Sequence, residues 1–454
     1  MSPHKFWIFM ASLGLSACTV YTPAPLPSGQ DVQSTAALTE IFYRNQTVVD
    51  RRFQTAIAID LSAALDANAV ATLAVLHNPD LNTLRATLGI AEAQVFAAGL
   101  LPDPVFSAGI DKLLSGPDQL NNLAAALGFD LNFLRTHAVQ KAQAEAGAMQ
   151  VRSDVAWAEW QTAGAARLLV ERIASLQQVQ MLAATNHALA AAALASLQRA
   201  AQQGDVTTTQ VQVVAVDATA AAQAANQAQA ELAAAKRDLN TLLGLPVDYP
   251  LPLAAPLASV DLTLPDLEVL YTLATQSRAD LVALRFGYDA QEAAVHKAVL
   301  DQFPSLSLTI NANRDSGGNR LLGPALGFSL PLWNRNRSGI AFEQATRAML
   351  QREYAARLLQ TRADLAAALA NLALDATQQH SLQVGLPASQ QLATSSRAAA
   401  SRGDVTVSVA AAAEQNFIAQ QSQLVLTRQS RAEHMIALEL LSGVARDQWG
   451  NKHE

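Results

Sequence analysis

Glu292 and His296 stand four residues apart on a predicted helix, so both side chains rise from one face and could share a cation. A solvated surface pair has the same spacing and is the stronger reading. Asp205 and Asp404 each follow a glycine in the repeated string Gly-Asp-Val-Thr, at 204–207 and 403–406. An aspartate at such a turn can cap the helix that follows; the functional alternative is a contact for a partner or a carboxylate ring that attracts cations. Trp157 and Trp160 read as packing or interface residues rather than as a ligand site. The chain has no Walker loop, no nucleophile elbow and no His-Glu-x-x-His, and its 8 histidines are scattered. Cys18 is the single cysteine, which excludes a disulfide framework and a Cys-based zinc site. No catalytic residue, metal site or cofactor is therefore expected, and the chain does not read as an enzyme.

The elements around these residues follow from composition. Of 454 residues, 50% are apolar but only 5% aromatic and 15% charged, against about 25% charged in ordinary globular chains. The apolar half is mostly alanine and aliphatic residues, which favour helices and let them approach closely. A net charge of −7 and a pI near 5.6 argue against a nucleic-acid partner. Mean hydropathy is +0.13, yet past residue 17 no apolar run is long enough for a membrane helix.

The N-terminus has the layout of a secretory signal peptide: a short, weakly basic start, an apolar stretch Phe6 to Leu15, and small residues before Cys18. Leu15-Ser16-Ala17-Cys18 resembles the bacterial lipobox. That resemblance implies a signal peptide at 1–17, a covalent lipid on Cys18, and, with Thr19 next, sorting to the outer membrane. Residues 18–60, with Pro23, Pro25 and Pro27, read as a tether.

The rest is built twice. Asp80-Leu81 and Leu84-Arg85 recur as Asp280-Leu281 and Leu284-Arg285; Leu127-Gly128-Phe129 recurs as Leu326-Gly327-Phe328; Gly244 recurs as Gly443. Such a period decides the architecture before any single element does. The first repeat, 61–250, reads as a helix, a β-hairpin at 104–134 and a helical hairpin at 135–243. The second, 266–445, reads as a helix, a β-hairpin at 305–333 and a helical hairpin at 338–441. A proline-rich connector (251–265) joins them, and 446–454 is a tail. The strand signal is clearest where Leu306, Leu308 and Ile310 alternate with Ser307, Thr309 and Asn311. These three apolar residues are the expected lipid-facing positions, and the returning strand is expected at about 325–333. Gly385-Leu386-Pro387 is expected to kink or break the long helix of the second hairpin. Both helical hairpins turn at the Gly-Asp-Val-Thr strings.

Four strands cannot close a membrane barrel, since known single-chain bacterial barrels start at about eight, and an open edge in lipid leaves backbone groups unpaired. Several chains must contribute, and three would supply twelve strands. This arrangement resembles the TolC family of outer-membrane efflux ducts over about residues 60 to 445, with Asn78-Pro79-Asp80-Leu81 and Ser277-Arg278-Ala279-Asp280-Leu281 opening the repeats. Leu330-Pro331-Leu332-Trp333-Asn334-Arg335-Asn336 is similar to a string in the cobalt-zinc-cadmium branch that exports heavy-metal cations. The resemblance implies a mainly α fold with a small membrane β part, a homotrimer with a 12-stranded β-barrel in outer-membrane lipid, and a long coiled-coil α-barrel in the periplasm. It implies a passive duct for heavy-metal cations or drugs. The partners implied are an inner-membrane pump of the resistance-nodulation-division class and a periplasmic adaptor docking at the tips, Gly204, Asp205 and Val206 with Gly403, Asp404 and Val405. A periplasmic adaptor or a structural coiled-coil lipoprotein is the alternative; neither predicts two strand hairpins. Many family members carry acidic gate residues about six and nine positions past the tip glycine. Here those positions are Gln210 and Val213, and Val409 and Ala412, so that gate is missing.

Overall fold

The computed structural model describes residues 21–26, 63–112, 114–118, 120–254 and 264–449. The signal peptide with Cys18, most of the tether, residues 255–263 of the connector and the end of the tail lie outside them. The chain divides into Met1–Val49 and Asp50–Glu454. Of the first unit only an exposed irregular stretch at 21–26 is described; everything below concerns the second.

Its elements run in chain order: α1 (Ala67–His77), α2 (Pro79–Gly99), β1 (Val105–Asp111), β2 (Asn122–Asp130), α3 (Phe133–Gln203), α4 (Thr208–Leu242), α5 (Leu267–Ser277), α6 (Ala279–Leu300), β3 (Leu306–Arg314), β4 (Arg320–Phe328), α7 (Arg337–Arg402) and α8 (Val407–Ser442), then a 3-10 turn Arg446–Gln448. The sequence order helix, strand pair, helix pair thus occurs twice. The fold is mainly α with one antiparallel sheet of order β1-β2-β3-β4, in which the two hairpins meet along β2 and β3. Among the described residues no helix is long and apolar enough to cross a membrane.

Local chemistry sets where helices start. The opening helix of each repeat is in fact two helices. Asn78 ends α1 and starts α2: its Oδ1 accepts the Leu81 N–H at 2.8 Å, and Pro79 occupies the first turn, where no N–H is needed. Its Nδ2 also donates to the Leu242 carbonyl at 2.9 Å, tying the end of α4 to this junction. Asn78→Ala removes both bonds and should lower stability by about 1–2 kcal/mol, read as a lower thermal unfolding midpoint with the fold retained.

The 71 residues of α3 make a helix of roughly 105 Å at about 1.5 Å per residue. It packs against α1, α2, α4, α6 and α8. Close approach depends on small side chains: Ala190, Ala218 and Ala221 form a buried patch between α3 and α4, and a Cβ on Gly164 would lie 2.6 Å from the Leu440 side chain of α8. A larger apolar cluster gathers Leu270, Leu273, Leu365, Leu372 and Leu438, and Trp449 completes it at 7% exposure with its indole N–H on Ser442 Oγ at 3.1 Å. The segment read as a tail therefore contributes to the core.

Two expectations need correction. Pro387 does not break its helix, which runs from Arg337 to Arg402. The proline removes the N–H that would serve the Gln383 carbonyl, but Pro387 and Gln383 are both exposed, so water can take that place. The returning strands also lie earlier than the expected 125–134 and 325–333: β2 is Asn122–Asp130 and β4 is Arg320–Phe328, because pairing runs from Asp111↔Asn122 and Arg314↔Arg320 at the turns. Gly323 and Pro324 obscure β4 in the sequence, yet β4 is an edge strand of this sheet, where proline is tolerated. Leu330 and Leu332 fall beyond it, in an irregular junction where Arg335 and Asn336 take left-handed φ of 47° and 50°.

Candidate functional site

The register divides the sheet into two chemically distinct faces. Residues directly opposite across antiparallel strands share a face. Ile310 stands opposite Leu127 and Pro324, and Leu127 opposite Phe106. Leu308 shares the face with Phe129 and Leu326, and Leu306 with Phe328. Leu306, Leu308 and Ile310 therefore lie on one continuous apolar face. The other face is small and polar: Asn311 lies opposite Ala126 and Gly323, Thr309 opposite Gly128 and Ala325, and Ser107 opposite Ala126. The nine-residue strands β2, β3 and β4 span roughly 30 Å, the thickness of a bilayer core; β1, with seven residues, spans roughly 24 Å. Within the described residues the outer edges of β1 and β4 have no partner strand.

At the far end of the helical hairpins the two tips are built alike. Gly204 and Gly403 adopt left-handed φ of 84° and 82°. The Asp205 and Asp404 N–H groups donate back to Ala200 and Ala399 at 2.9 Å, while the two glycine N–H groups donate to Ala201 and Ala400 at 3.1 Å. This double closure satisfies the last carbonyls of α3 and α7. The aspartates do not cap the returning helices, contrary to expectation. Thr207 and Thr406 do: Thr207 Oγ1 accepts from the Gln210 N–H while Gln210 Oε1 accepts from the Thr207 N–H, and Thr406 Oγ1 accepts from Val409. Each aspartate stands two residues before the capping threonine and so sits too early to reach the first-turn donors. Asp404 instead meets Arg402 at 2.8 Å, and both are exposed. Gly204, Asp205, Gly403 and Asp404 lie open on the surface, with Val206 and Val405 half-buried beneath.

Above the second tip, Arg397 of α7 grips Glu414 of α8, whose side chain is 8% exposed. Glu414 Oε1 holds the Arg397 pKa above its ordinary value. The pair bridges the two arms of the hairpin, and sequence spacing did not reveal it. Reflection through the turn would have done so, since 397 and 414 are nearly equidistant from it. The first tip has no such lock; Arg199 folds back onto its own Ala195 carbonyl. Glu292 and His296 do not share a ligand: Glu292 accepts from Tyr288 Oη at 2.9 Å and pairs with Arg347 at 3.1 Å, joining α6 to α7. Among the described residues no three His, Cys, Asp or Glu side chains cluster to hold a metal ion.

Residues 270–444, almost the whole second repeat, match the family model of outer membrane efflux proteins. The second repeat is similar to that family. Solved structures carry the same fold across both repeats of this chain. The outer-membrane channel OprN superposes with a TM-score of 0.72 at 18% identity, over 84% of this chain and 90% of its own. CusC, described with transmembrane channel formation, gives 0.70 at 16% identity, over 88% and 100%. The Campylobacter jejuni CmeC outer membrane channel gives 0.72 at 14% identity, over 94% of each chain. No curated protein sequence matches the chain.

Between sheet and tips, the two repeats are tied where α5 passes into α6. Arg278 holds Asp280 through two hydrogen bonds of 3.0 and 2.7 Å, and its guanidinium lies 4.9 Å from the Trp157 ring centre. Trp160 donates to the Leu440 carbonyl at 3.3 Å. Both tryptophans are thus packing residues, and with Ser277, Ala279 and Gly443 they line a small cleft. Nearby, Arg167 pairs with the buried Glu439 at 2.9 Å. Burial raises the Glu171 pKa, against a smaller opposing pull from Arg446. A carboxyl whose pKa is raised by folding favours the folded state only while protonated. Stability should therefore fall as pH rises from the ordinary value of 4.5 through the raised folded value. Glu171→Gln should raise the unfolding midpoint at neutral pH and give no gain below the ordinary glutamate pKa.

Proposed function

We propose that this chain is an outer-membrane efflux protein and that three copies assemble into one passive duct, closing a barrel of twelve strands in the outer membrane above a periplasmic barrel of helical hairpins. The observation that carries this reading is the four-stranded sheet: membrane-length strands, one apolar face, one small and polar face, and two edges left unpaired. In lipid, each unpaired edge group costs several kcal/mol, and pairing β1 of one copy with β4 of the next removes every edge at once. The apolar face, with Leu306, Leu308 and Ile310, then meets lipid. The Ser, Thr, Asn and Gly face lines a polar lumen, with Asp111 beside the turns and Asp130 at the opposite end of the sheet.

The exposed tips Gly204-Asp205-Val206 and Gly403-Asp404-Val405 are the proposed docking surface for a periplasmic adaptor, with a proton-driven resistance-nodulation-division pump supplying energy. Their support is geometric: both tips repeat one backbone design and leave the glycine and aspartate exposed. Cys18 is the proposed lipid anchor. The cargo is proposed to be heavy-metal cations or drugs, with the junction string Leu330 to Asn336 as the pointer to metals. Extraction of outer membranes with mild detergent and electrophoresis without heating should give a trimer that collapses to monomer on boiling. A monomer released by salt alone would overturn the duct. Deletion of the gene should sensitise cells to cobalt, zinc or cadmium if metals are the cargo, and to apolar drugs if they are not.

A further inference from the structure

The apolar face of the sheet ends in two arginines. Arg314 closes β3 and Arg320 opens β4, and the register sets them directly opposite each other on the face that carries Leu308 and Ile310. Their neighbours in the same row are Leu123 and Ile110. Like charges placed opposite on one face repel, so this pair needs an anion. Among the described residues no carboxylate forms an ion pair with either arginine. Asp315, next along, is occupied by the Asn319 backbone and side-chain N–H groups, both at 2.8 Å. Asp118 is held by Ser316, and Asp111 takes the Asn122 amide at 3.1 Å on the opposite face. Arg314 Nε is enclosed and without a hydrogen-bond partner.

The row also has a fixed place. The strands join the helices at their other ends, so the arginines lie at the hairpin end away from the helical hairpins. Resting on the duct reading above, that end is the outer rim of the membrane, where the hydrocarbon-facing surface meets lipid headgroups. We propose that Arg314 and Arg320 form a clamp for the phosphate of an outer-leaflet lipid. Two guanidinium forks at the edge of an apolar strip suit a ligand with an anionic head and acyl chains. The chains run down past Ile110, Leu123 and Ile310 while the phosphate bridges the arginines. Three copies would place three such clamps around the rim.

The test uses full-length trimer in detergent, titrated with lipid A bearing or lacking its phosphates and followed by native mass spectrometry. The trimer is expected to bind the phosphorylated form about tenfold or more tightly, as two basic residues near a charged surface would give. The double variant R314Q/R320Q should lose that preference, and R314K/R320K should keep most of it. Equal binding of the two lipids by the natural trimer overturns the clamp without need of any variant, as does a double variant that keeps the preference. Displacement of lipid A by an equal concentration of inorganic phosphate would also overturn it, because the site would then serve a free anion. A chain that never forms a trimer sinks the duct reading instead, so the two failures are distinct.

Discussion

Gly443→Ala should destabilise this protein by about 2–5 kcal/mol, far more than the same change at the tip glycine Gly204. Both residues take left-handed φ, +71° and +84°, so each alanine variant carries the steric strain of that region, about 1–2 kcal/mol. The surroundings differ. At Gly204 nothing lies within 4 Å of an added Cβ. At Gly443 the Cβ would sit 2.9 Å from the Arg278 N and Cα atoms. That backbone cannot step aside, because it is the junction of α5 and α6 and its guanidinium is fixed by Asp280 and by the Trp157 ring. Either the end of α8 moves, loosening Val444 and Trp449 in the core, or the Arg278 tie breaks. The measurement is the thermal unfolding midpoint of the two variants beside the natural protein. Equal midpoints for Gly443→Ala and Gly204→Ala would show that the α8 terminus is free to shift.

The tandem design was legible because it rests on local signals. Gly-Asp-Val-Thr marks both tips, where only a glycine closes the helix without strain, and Leu306 to Asn313 alternates strictly enough to set the apolar face. What was not legible depends on contacts between elements. The β4 strand hides behind Gly323 and Pro324, which argue locally against a strand and are overruled by nine cross-strand pairs with β3. Trp449 lies seven residues past Ser442 and enters the core only because α8, Val444 and the 3-10 turn bring it back. Arg397 and Glu414 meet only once α7 and α8 are folded against each other. The misreading of Asp205 and Asp404 as caps has a different cause. The pattern Thr-x-x-Gln at Thr207 and Gln210 is itself a capping signal, and it specifies the cap without reference to the aspartate.

The alternation makes its sharpest claim at adjacent residues of β3. On the duct reading, Ile310→Lys should abolish assembly of the outer-membrane trimer, whereas Asn311→Lys should leave it intact. Ile310 is the fifth of nine residues in its strand, and so lies near the bilayer midplane in the duct reading. A lysine there on the lipid side costs about 2–4 kcal/mol in each copy, and a barrel of three copies carries that cost three times. No small displacement relieves it, since Leu127, Pro324 and Phe106 continue the apolar row on both sides. Asn311 points the other way. Its row is Ser107, Ala126 and Gly323, which leaves room for a long side chain and water to solvate it. The two substitutions introduce the same charge one residue apart, so general effects on expression or net charge cancel between them. Trimer recovered from outer membranes on unheated gels is the readout. Recovery of Ile310→Lys with loss of Asn311→Lys would reverse the two faces. Loss of both would show that neither face borders an aqueous lumen.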